Sequence, residues 1–272
     1  MKIVFYTDKN FEYMAQYLIE SLDIQNVDAD LVYYTLGFDS TIIHSRLIKK
    51  PFELDNKLPK FEYYKPGILL DVIENTDTKE FIFLDSDIIV GKRFDLTKFK
   101  HSYDYPLASR GNWDQPYAYF DYNHGSREIF NENKLKEYLG VRSKSMEYVY
   151  SCFMSVNEKC VDFLKEWKSF CNNSYLLENR QSYYPFHDET SFNVLLQKRG
   201  GSVNYGRIYL NTLFSAPLEF VEDHEHFQGD VFGVPVQYCG DSSEVVFYHG
   251  VKARGELARA LTYLRKAAGG GR

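Results

Sequence analysis

The first ninety residues alternate short apolar strands with a helical segment, and this pattern restricts the chain to few folds. Residues 2–6 predict a strand, the apolar spacing in residues 11–22 predicts a helix, and residues 31–36 predict a second strand. The strands are apolar on both faces, as in parallel sheets that helices cover on each side. We therefore expect an α/β fold with a central, mostly parallel sheet flanked by helices.

Further elements follow with weaker signals. Apolar runs predict strands, and apolar residues at helical spacing predict helices, one of which has proline in its first turn. The predicted strands are 42–48, 81–84, 148–156 and 244–248, and the predicted helices are 66–73, 158–171 and 190–198. Residues 98–131 are rich in Tyr, Asp, Asn, Gly and Pro without periodicity, which indicates long ordered loops over a pocket.

The composition is that of a folded globular chain and excludes several classes of protein. Hydrophobic residues make up 44% and charged residues 26% of the 272 residues, which disfavours a disordered, collagen-like or coiled-coil chain. The formal net charge is −6, so the chain lacks the global positive field that attracts nucleic acids. We therefore expect no nucleic-acid partner. The chain shows no membrane-spanning apolar run, no secretory signal and no CxxC pair among its four cysteines. We therefore expect reduced thiols and a cytoplasmic location.

Two aspartates interrupt a buried apolar run. Asp85 and Asp87 stand between Phe81–Leu84 and Ile88–Val90, where ionised carboxylates are costly unless a cation or hydrogen bonds compensate them. On an extended strand, residues i and i+2 face the same way, so both carboxylates would meet one hard divalent cation at the strand's carboxyl end. The alternative is a strand-end turn with solvated aspartates.

Two further clusters combine groups suited to phosphate and sugar chemistry. An apolar strand ends in His249, Gly250 and Lys252, which supply an imidazole for a metal, a close backbone approach and a positive charge for a phosphate. Asp188 and Glu189 directly precede a predicted helix, where a carboxylate can act on the anomeric carbon of a sugar. The alternative is helix capping, with Asp188 as N-cap and Glu189 in the first turn.

These clusters, in this order, resemble the motifs of GT-A glycosyltransferases, which use nucleotide-sugar donors. Ile3–Phe11 is similar to the first strand and loop of family-eight retaining galactosyl- and glucosyltransferases, and Phe81–Val90 is similar to their Asp-x-Asp strand. The segment His249–Lys252 resembles a shortened form of their His-x-x-Gly-x-x-Lys element. The segment His187–Asn193 differs from that family's Asp-Gln and is closer to the His-Asp-Glu-Ser-x-x-Asn of family-six retaining transferases.

The resemblance implies roles for individual residues of this sequence. Asp85, Asp87 and His249 would bind Mn²⁺ or Mg²⁺, and Lys252 would contact the diphosphate. Glu189 would be the group beneath the anomeric carbon, with Asp188 positioning hydroxyl groups of the donor sugar. The other implied contacts to the nucleotide sugar are Tyr6, Thr7, Asp8, Asn10, Lys65, Asp85, Ser86 and Gly250. Lys65 matches a basic donor-binding position only roughly, and a surface lysine is the alternative.

The expected domain organisation is a single GT-A domain over residues 1–272. It would comprise a nucleotide-sugar-binding half, an acceptor-binding and catalytic half, and a basic C-terminal helix with its tail, which are residues 1–97, 98–254 and 255–272. Leu257, Leu261 and Leu264 lie on one face of that helix and predict packing onto the domain. Contact with an anionic membrane surface is the alternative.

The expected reaction is metal-dependent transfer of a sugar from a nucleotide diphosphate sugar to a hydroxyl group of a glycan acceptor with retention. The resemblance of the first loop to family-eight transferases favours a UDP-linked donor. In an inverting transferase, Asp188 or Glu189 would instead deprotonate the acceptor. A haloacid-dehalogenase-type phosphatase would use Asp85 as nucleophile and Asp87 as acid, although Ile89 stands where that motif carries Thr or Val. A catalytically silent nucleotide-sugar-binding module would bind the donor without transfer or hydrolysis.

Overall fold

Six strands form the central sheet of the computed structural model, which describes residues 1–55, 58, 61–91, 93–109, 149–173, 187–199, 210–212, 226–231, 234–239, 247–249 and 254–269. Across the sheet the order is β3 (Leu47–Phe52), β2 (Leu31–Leu36), β1 (Lys2–Thr7), β4 (Glu80–Leu84), β7 (Tyr150–Asn157) and β6 (Leu107–Ser109). β1 is parallel to β2 and β4, and β2 is parallel to β3, whereas β7 is antiparallel to β4 and β6. The prediction of a mostly parallel sheet is confirmed.

Helices cover this sheet on both sides. In chain order they are α1 (Glu12–Ile24), α2 (Lys65–Asn75), α3 (Val161–Cys171), α4 (His187–Lys198) and α5 (Arg254–Gly269). Short 3-10 helices are Lys9–Phe11, Phe61–Tyr64, Leu96–Phe99 and Glu158–Cys160. Within the described ranges, none of the helices combines the length and the hydropathy that crossing a bilayer requires.

The alternating side chains of β1 explain why both faces are covered. Ile3 and Phe5 belong to a buried cluster with Leu18 of α1, whereas Val4 belongs to a second cluster. The α-helical members of that second cluster come from α2, α3 and α4. Because successive strand residues point to opposite faces, a strand that is apolar at every position needs a helix on each side. Each large apolar side chain buried in this way contributes about 1.5–3 kcal/mol.

A three-stranded sheet joins a strand from the first third of the sequence to two strands from its last third. β5 (Ile88–Val90) is antiparallel to β11 (Phe247–His249), and β11 is parallel to β8 (Leu210–Thr212). A separate antiparallel pair consists of β9 (His226–Val231) and β10 (Val234–Cys239).

The C-terminal helix packs onto the domain, as its apolar face predicts. Leu257, Leu261 and Leu264 of α5 are buried in one cluster with Met14 of α1 and Ile89 of β5. The guanidinium of Arg254 also lies 4.5 Å from the ring centroid of Tyr13 in α1. The apolar face of α5 is therefore used inside the protein.

Two predictions about secondary structure are wrong. The third strand comprises Leu47–Phe52 rather than residues 42–48, because its parallel pairing with β2 begins at Leu47, opposite Leu31. Residues 98–109 contain the end of a 3-10 helix and strand β6 rather than loops alone, because β6 pairs with β7 at the sheet edge. The rest of the predicted loop region, residues 110–131, lies outside the described residues.

Candidate active site

Three neighbouring strands bring polar side chains to one edge of the central sheet. β1 and β4 are parallel neighbours, so Asp8 and Asp85, which follow them, lie at the same edge. β7 is antiparallel to β4, and its first residues therefore meet the carboxyl end of β4. The N–H of Asp85 donates to the carbonyl oxygen of Cys152 over 2.8 Å, and this hydrogen bond joins the end of β4 to the start of β7. Open α/β sheets bind their ligands at the carboxyl ends of their strands.

The Asp85–Asp87 segment is a turn, not the extended strand that the sequence predicts. The N–H of Ile88 donates to the carbonyl oxygen of Asp85 over 3.1 Å and closes the turn. β4 and β5 belong to different sheets, so the chain has to change direction between them. The same-face argument for the two aspartates is therefore wrong. The alternative is right about the strand-end turn but wrong about solvated aspartates, because Asp87 is 7% exposed and Asp85 is ion-paired.

A buried lysine joins the Asp85–Asp87 turn to the start of α4. Nζ of Lys65 lies 3.2 Å from Oδ1 of Asp85 and 2.8 Å from Oδ2 of Asp188, and Lys65 is 3% exposed. Burial alone would lower the pKa of Lys65, but the carboxylates of Asp188 and Asp85 outweigh burial and hold that pKa well above its usual value. Lys65 therefore stays protonated and positively charged inside the site. The alternative of a surface lysine is wrong.

The first turn of α4 supplies two carboxylates to the site. The helix begins at His187, so Asp188 lies inside its first turn. The alternative is therefore wrong in making Asp188 the N-cap, although Glu189 lies in the first turn as that alternative states. Oδ2 of Asp188 accepts a hydrogen bond from the Ser151 hydroxyl over 3.2 Å. Oε2 of Glu189 accepts from the Ser151 N–H over 3.1 Å. Both carboxylates are thus held against the start of β7 and are buried there.

Two further side chains hold the start of α4 in place. Asn193 accepts a hydrogen bond from the N–H of Val149 and donates to the carbonyl oxygens of Val149 and Glu189. Nε1 of Trp167, on α3, donates to the carbonyl oxygen of Asp188 over 2.9 Å. The carboxylates of Asp188 and Glu189 consequently stand on a backbone that is fixed to both β7 and α3.

The first loop contains a buried carboxylate oxygen that accepts no hydrogen bond from the described residues. Oδ1 of Asp8 accepts from the N–H groups of Asn10 and Phe11, over 2.8 and 3.0 Å, and so caps a 3-10 helix. Oδ2 of Asp8 is buried and unsatisfied there. Such an acceptor costs about 1–3 kcal/mol, so it is suited to a donor group from a ligand. The Thr7 hydroxyl, by contrast, is hydrogen-bonded to the Tyr33 hydroxyl.

Tyr6 forms one wall beside the Lys65 ammonium. Its ring stacks on Phe83 with 5.9 Å between centroids, and Nζ of Lys65 lies 5.4 Å from the Phe83 centroid. Burial raises the pKa of Tyr6 well above its usual value, Lys65 opposes that rise, and Asp85 adds to it. Tyr6 therefore stays a neutral phenol, which can donate a hydrogen bond at neutral pH.

The charges of the site suit a divalent cation. Asp85, Asp87, Asp188 and Glu189 contribute four carboxylates, whereas Lys65 contributes one positive charge. Carboxylate oxygens are the preferred ligands of Mg²⁺ and also suit Mn²⁺, and buried negative charge is costly unless a cation offsets it. Asp85 and Asp87, in one turn, are the residues that would hold the ion. Among the described residues alone, no three His, Cys, Asp or Glu side chains group closely enough to hold a metal.

The predicted third metal ligand lies on the strand that pairs with β5. His249 is opposite Ile88 in the antiparallel ladder, which places its backbone beside the residue that follows Asp87. The fold thus brings these two segments together, although the side chain of His249 lies outside what the structure describes. Gly250 and Lys252 lie outside the described residues altogether, and the roles of all three stay predictions.

Ser151 is the site residue that sequence reasoning missed. It carries no charge, belongs to no motif and is one of two serines in β7. Its importance comes from the pairing of β7 with β4, which sets it one residue before Cys152 and beside Asp85. Periodicity in a single sequence does not reveal which strands are neighbours, so no signal pointed to Ser151.

The chain has the GT-A fold, as the motifs predict. Over 99% of its length it is similar to a solved structure of the galactosyltransferase LgtC in complex with donor and acceptor sugar analogues. The TM-score is 0.57, the sequence identity is 14%, and 96% of that chain is covered. Identity this low establishes the fold alone. Comparisons with protein-family models and with curated proteins give no match.

Proposed function

We propose that this protein is a metal-dependent glycosyltransferase that moves a hexose or pentose from a UDP-linked sugar to a hydroxyl group of a glycan acceptor. The observation that carries the proposal is the convergence of Asp85 and Asp188, from distant parts of the sequence, on Lys65 at the ligand-binding edge of a GT-A sheet. The LgtC structure was solved with donor and acceptor sugar analogues, which supports this class of substrates.

The donor would lie along the edge of the sheet, with its nucleoside at the first loop. There the unsatisfied Oδ2 of Asp8 offers an acceptor for an N–H of the base or a hydroxyl of the ribose. The diphosphate would lie at the Asp85–Asp87 turn. A divalent cation held by Asp85 and Asp87 would bridge the diphosphate and stabilise the leaving nucleotide.

The carboxylates of α4 would act on the donor sugar. Glu189, whose Oε2 is held by the N–H of Ser151, is the candidate for the group beneath the anomeric carbon. It would act either as nucleophile or by stabilising the positive charge that develops there. Asp188, held by Lys65 and Ser151, would position hydroxyl groups of the sugar. Retention is proposed because the His187–Asn193 segment resembles that of retaining transferases.

The activity is tested by incubating the purified protein with UDP-, GDP-, dTDP- and CMP-sugars and Mn²⁺, and measuring free nucleotide. Water can replace the acceptor hydroxyl, so we expect slow nucleotide release from a UDP-sugar, and we expect EDTA to abolish it. A thermal shift with a donor but no release would indicate a binding module. No binding and no release from any donor, together with hydrolysis of a generic phosphate ester, would favour the phosphatase.

The carboxylate roles are tested with Glu189→Gln and Asp188→Asn, which keep side-chain size and remove charge. Loss of an electrostatic contact to the transition state lowers kcat by about 10²–10³-fold, and we expect losses of that order. Glu158→Gln and Asp162→Asn, at exposed carboxylates of the same types, are the matched controls and should retain full activity. Near-full transfer by both site variants, with folding intact, would refute the assignment.

The stereochemical outcome is measured separately by NMR of the anomeric proton in the product. We expect the product to keep the donor's configuration. An inverted product would instead assign Asp188 or Glu189 as the base that deprotonates the acceptor.

A further inference from the structure

Ser151 contacts three charged side chains of the site, those of Lys65, Asp188 and Glu189. Its hydroxyl donates to Oδ2 of Asp188 over 3.2 Å and accepts from Nζ of Lys65 over 3.1 Å. Its carbonyl oxygen accepts from the same ammonium over 3.3 Å, and its N–H donates to Oε2 of Glu189 over 3.1 Å. These contacts use the backbone donor, the backbone acceptor and the hydroxyl of one residue that is 1% exposed.

The directions of these hydrogen bonds are mutually consistent. An ammonium can only donate and an ionised carboxylate can only accept, so the Ser151 hydroxyl must accept from Lys65 and donate to Asp188. A hydroxyl has one proton and two lone pairs, which allows both contacts at once. The hydroxyl therefore has one allowed orientation, and it orders the Asp188 carboxylate relative to Lys65.

The backbone of Ser151 is itself fixed to the strand that carries the Asp85–Asp87 turn. Its neighbour Cys152 accepts the hydrogen bond from Asp85, and Phe153 is paired with Leu84 in the ladder of β4 and β7. Ser151 thus links the carboxylates of α4 to the turn on the other side of the site. A change in its contacts would alter the distance between those two parts.

We propose that Ser151 is a positioning residue of this site: its hydroxyl and N–H hold Asp188 and Glu189 in the orientation in which they act on the donor sugar. The inference rests on the proposed function and deepens it. Ser151 acts through Asp188, Glu189 and Lys65 rather than on the reacting atoms. Misplacement of reacting groups by about 1 Å can cost roughly 10²-fold in rate, so removing one restraint has a measurable effect.

The chain offers a matched control on the same strand. Ser155 is also 1% exposed, and its hydroxyl donates to the backbone carbonyl of Phe99 over 2.5 Å. Ser155→Ala therefore removes a buried serine hydroxyl from β7 without removing a contact to Asp188 or Lys65. A decrease in stability or in kcat that Ser151→Ala and Ser155→Ala share therefore reports the general cost of losing a buried hydrogen bond.

The decisive measurement is steady-state kinetics of nucleotide release by wild type, Ser151→Ala and Ser155→Ala, at a temperature where circular dichroism shows all three folded. For Ser151→Ala we expect kcat to fall about 10- to 100-fold, with the KM for the donor changed by less than about threefold. Ser155→Ala should keep the wild-type kcat. A fall in kcat for Ser151→Ala that is no larger than for Ser155→Ala would overturn the inference.

A second readout does not depend on turnover. Trp167 donates to the carbonyl oxygen of Asp188, so its fluorescence reports the start of α4. The chain has two tryptophans, and Trp113→Phe leaves Trp167 alone. In that background, Ser151→Ala should shift the Trp167 emission and Ser155→Ala should not. If wild type releases no nucleotide, the proposed function fails, and an unchanged emission in Ser151→Ala would overturn the positioning role independently.

Discussion

At the scale of single residues, Lys65 supplies the positive charge that offsets the carboxylates of Asp85 and Asp188. Lys65→Met keeps much of the side-chain volume but leaves the buried carboxylate of Asp188 and the partly exposed carboxylate of Asp85 without their shared cation. Removing one partner of a buried ion pair costs about 3–5 kcal/mol, and we expect the free energy of unfolding to fall by this amount. Urea denaturation measures it. Lys159→Met, at an exposed lysine, is the control and should change stability by less than about 0.5 kcal/mol.

The same variant has a defined pH dependence. The pKa of Lys65 in the folded protein is raised above its unfolded value of about 10.4, so its stabilising contribution is fully present below that value. The contribution disappears only as the pH rises through the folded pKa. The stability difference between wild type and Lys65→Met should therefore stay constant from about pH 7 to 10. A difference that shrinks across this range would contradict the ion-paired arrangement.

Sequence reasoning identified the charged residues of the site better than the neutral ones. Asp85 and Asp87 were recognisable because carboxylates in an apolar run require compensation. Ser151 gave no comparable signal, because a serine in a strand is unremarkable until its neighbours in space are known. The burial of Lys65 was equally hidden, since it depends on Asp188, which approaches only when α4 packs against β7.

At the scale of elements, the C-terminal helix is held by a small apolar interface. Leu261 is 1% exposed and belongs to the cluster with Met14 and Ile89. Leu261→Ala should lower the free energy of unfolding by about 2–5 kcal/mol, because it leaves a cavity as well as losing apolar burial. Arg259→Ala, at an exposed position of the same helix, should change it by less than about 0.5 kcal/mol. If chemical denaturation gives the same change in the free energy of unfolding for Leu261→Ala and Arg259→Ala, the packing of this helix is refuted.

The sequence predicts a strand or helix well when its apolar pattern is compatible with only one position in the fold. Residues 31–36 are apolar on both faces, and β2 has the predicted bounds because it lies inside the central sheet between β1 and β3. Residues 81–90 were harder, because the apolar pattern continues on both sides of the turn at Asp85–Asp87. Nothing in that pattern distinguishes one long strand from two strands in different sheets.

At the scale of the whole molecule, the buried clusters combine elements from distant parts of the chain. α5 packs on α1, and α3 and α4 share a cluster with β1 and β4. We propose on this ground that residues 1–272 fold as one domain, with the donor and acceptor halves divided near residue 97. Calorimetry should then show a single transition with equal calorimetric and van't Hoff enthalpies. Two separated transitions would instead indicate two independent units.

The pairing of β5 with β11 has a consequence for the timing of synthesis. The Asp85–Asp87 turn is made early, whereas His249, which pairs with Ile88, is added after more than half of the chain has followed. At about 5–20 residues per second, this delay is on the order of ten seconds or longer. Throughout that interval the nascent protein holds its aspartates without the strand that pairs beside them. The segments of the candidate metal site therefore come together only after β11 has been synthesised.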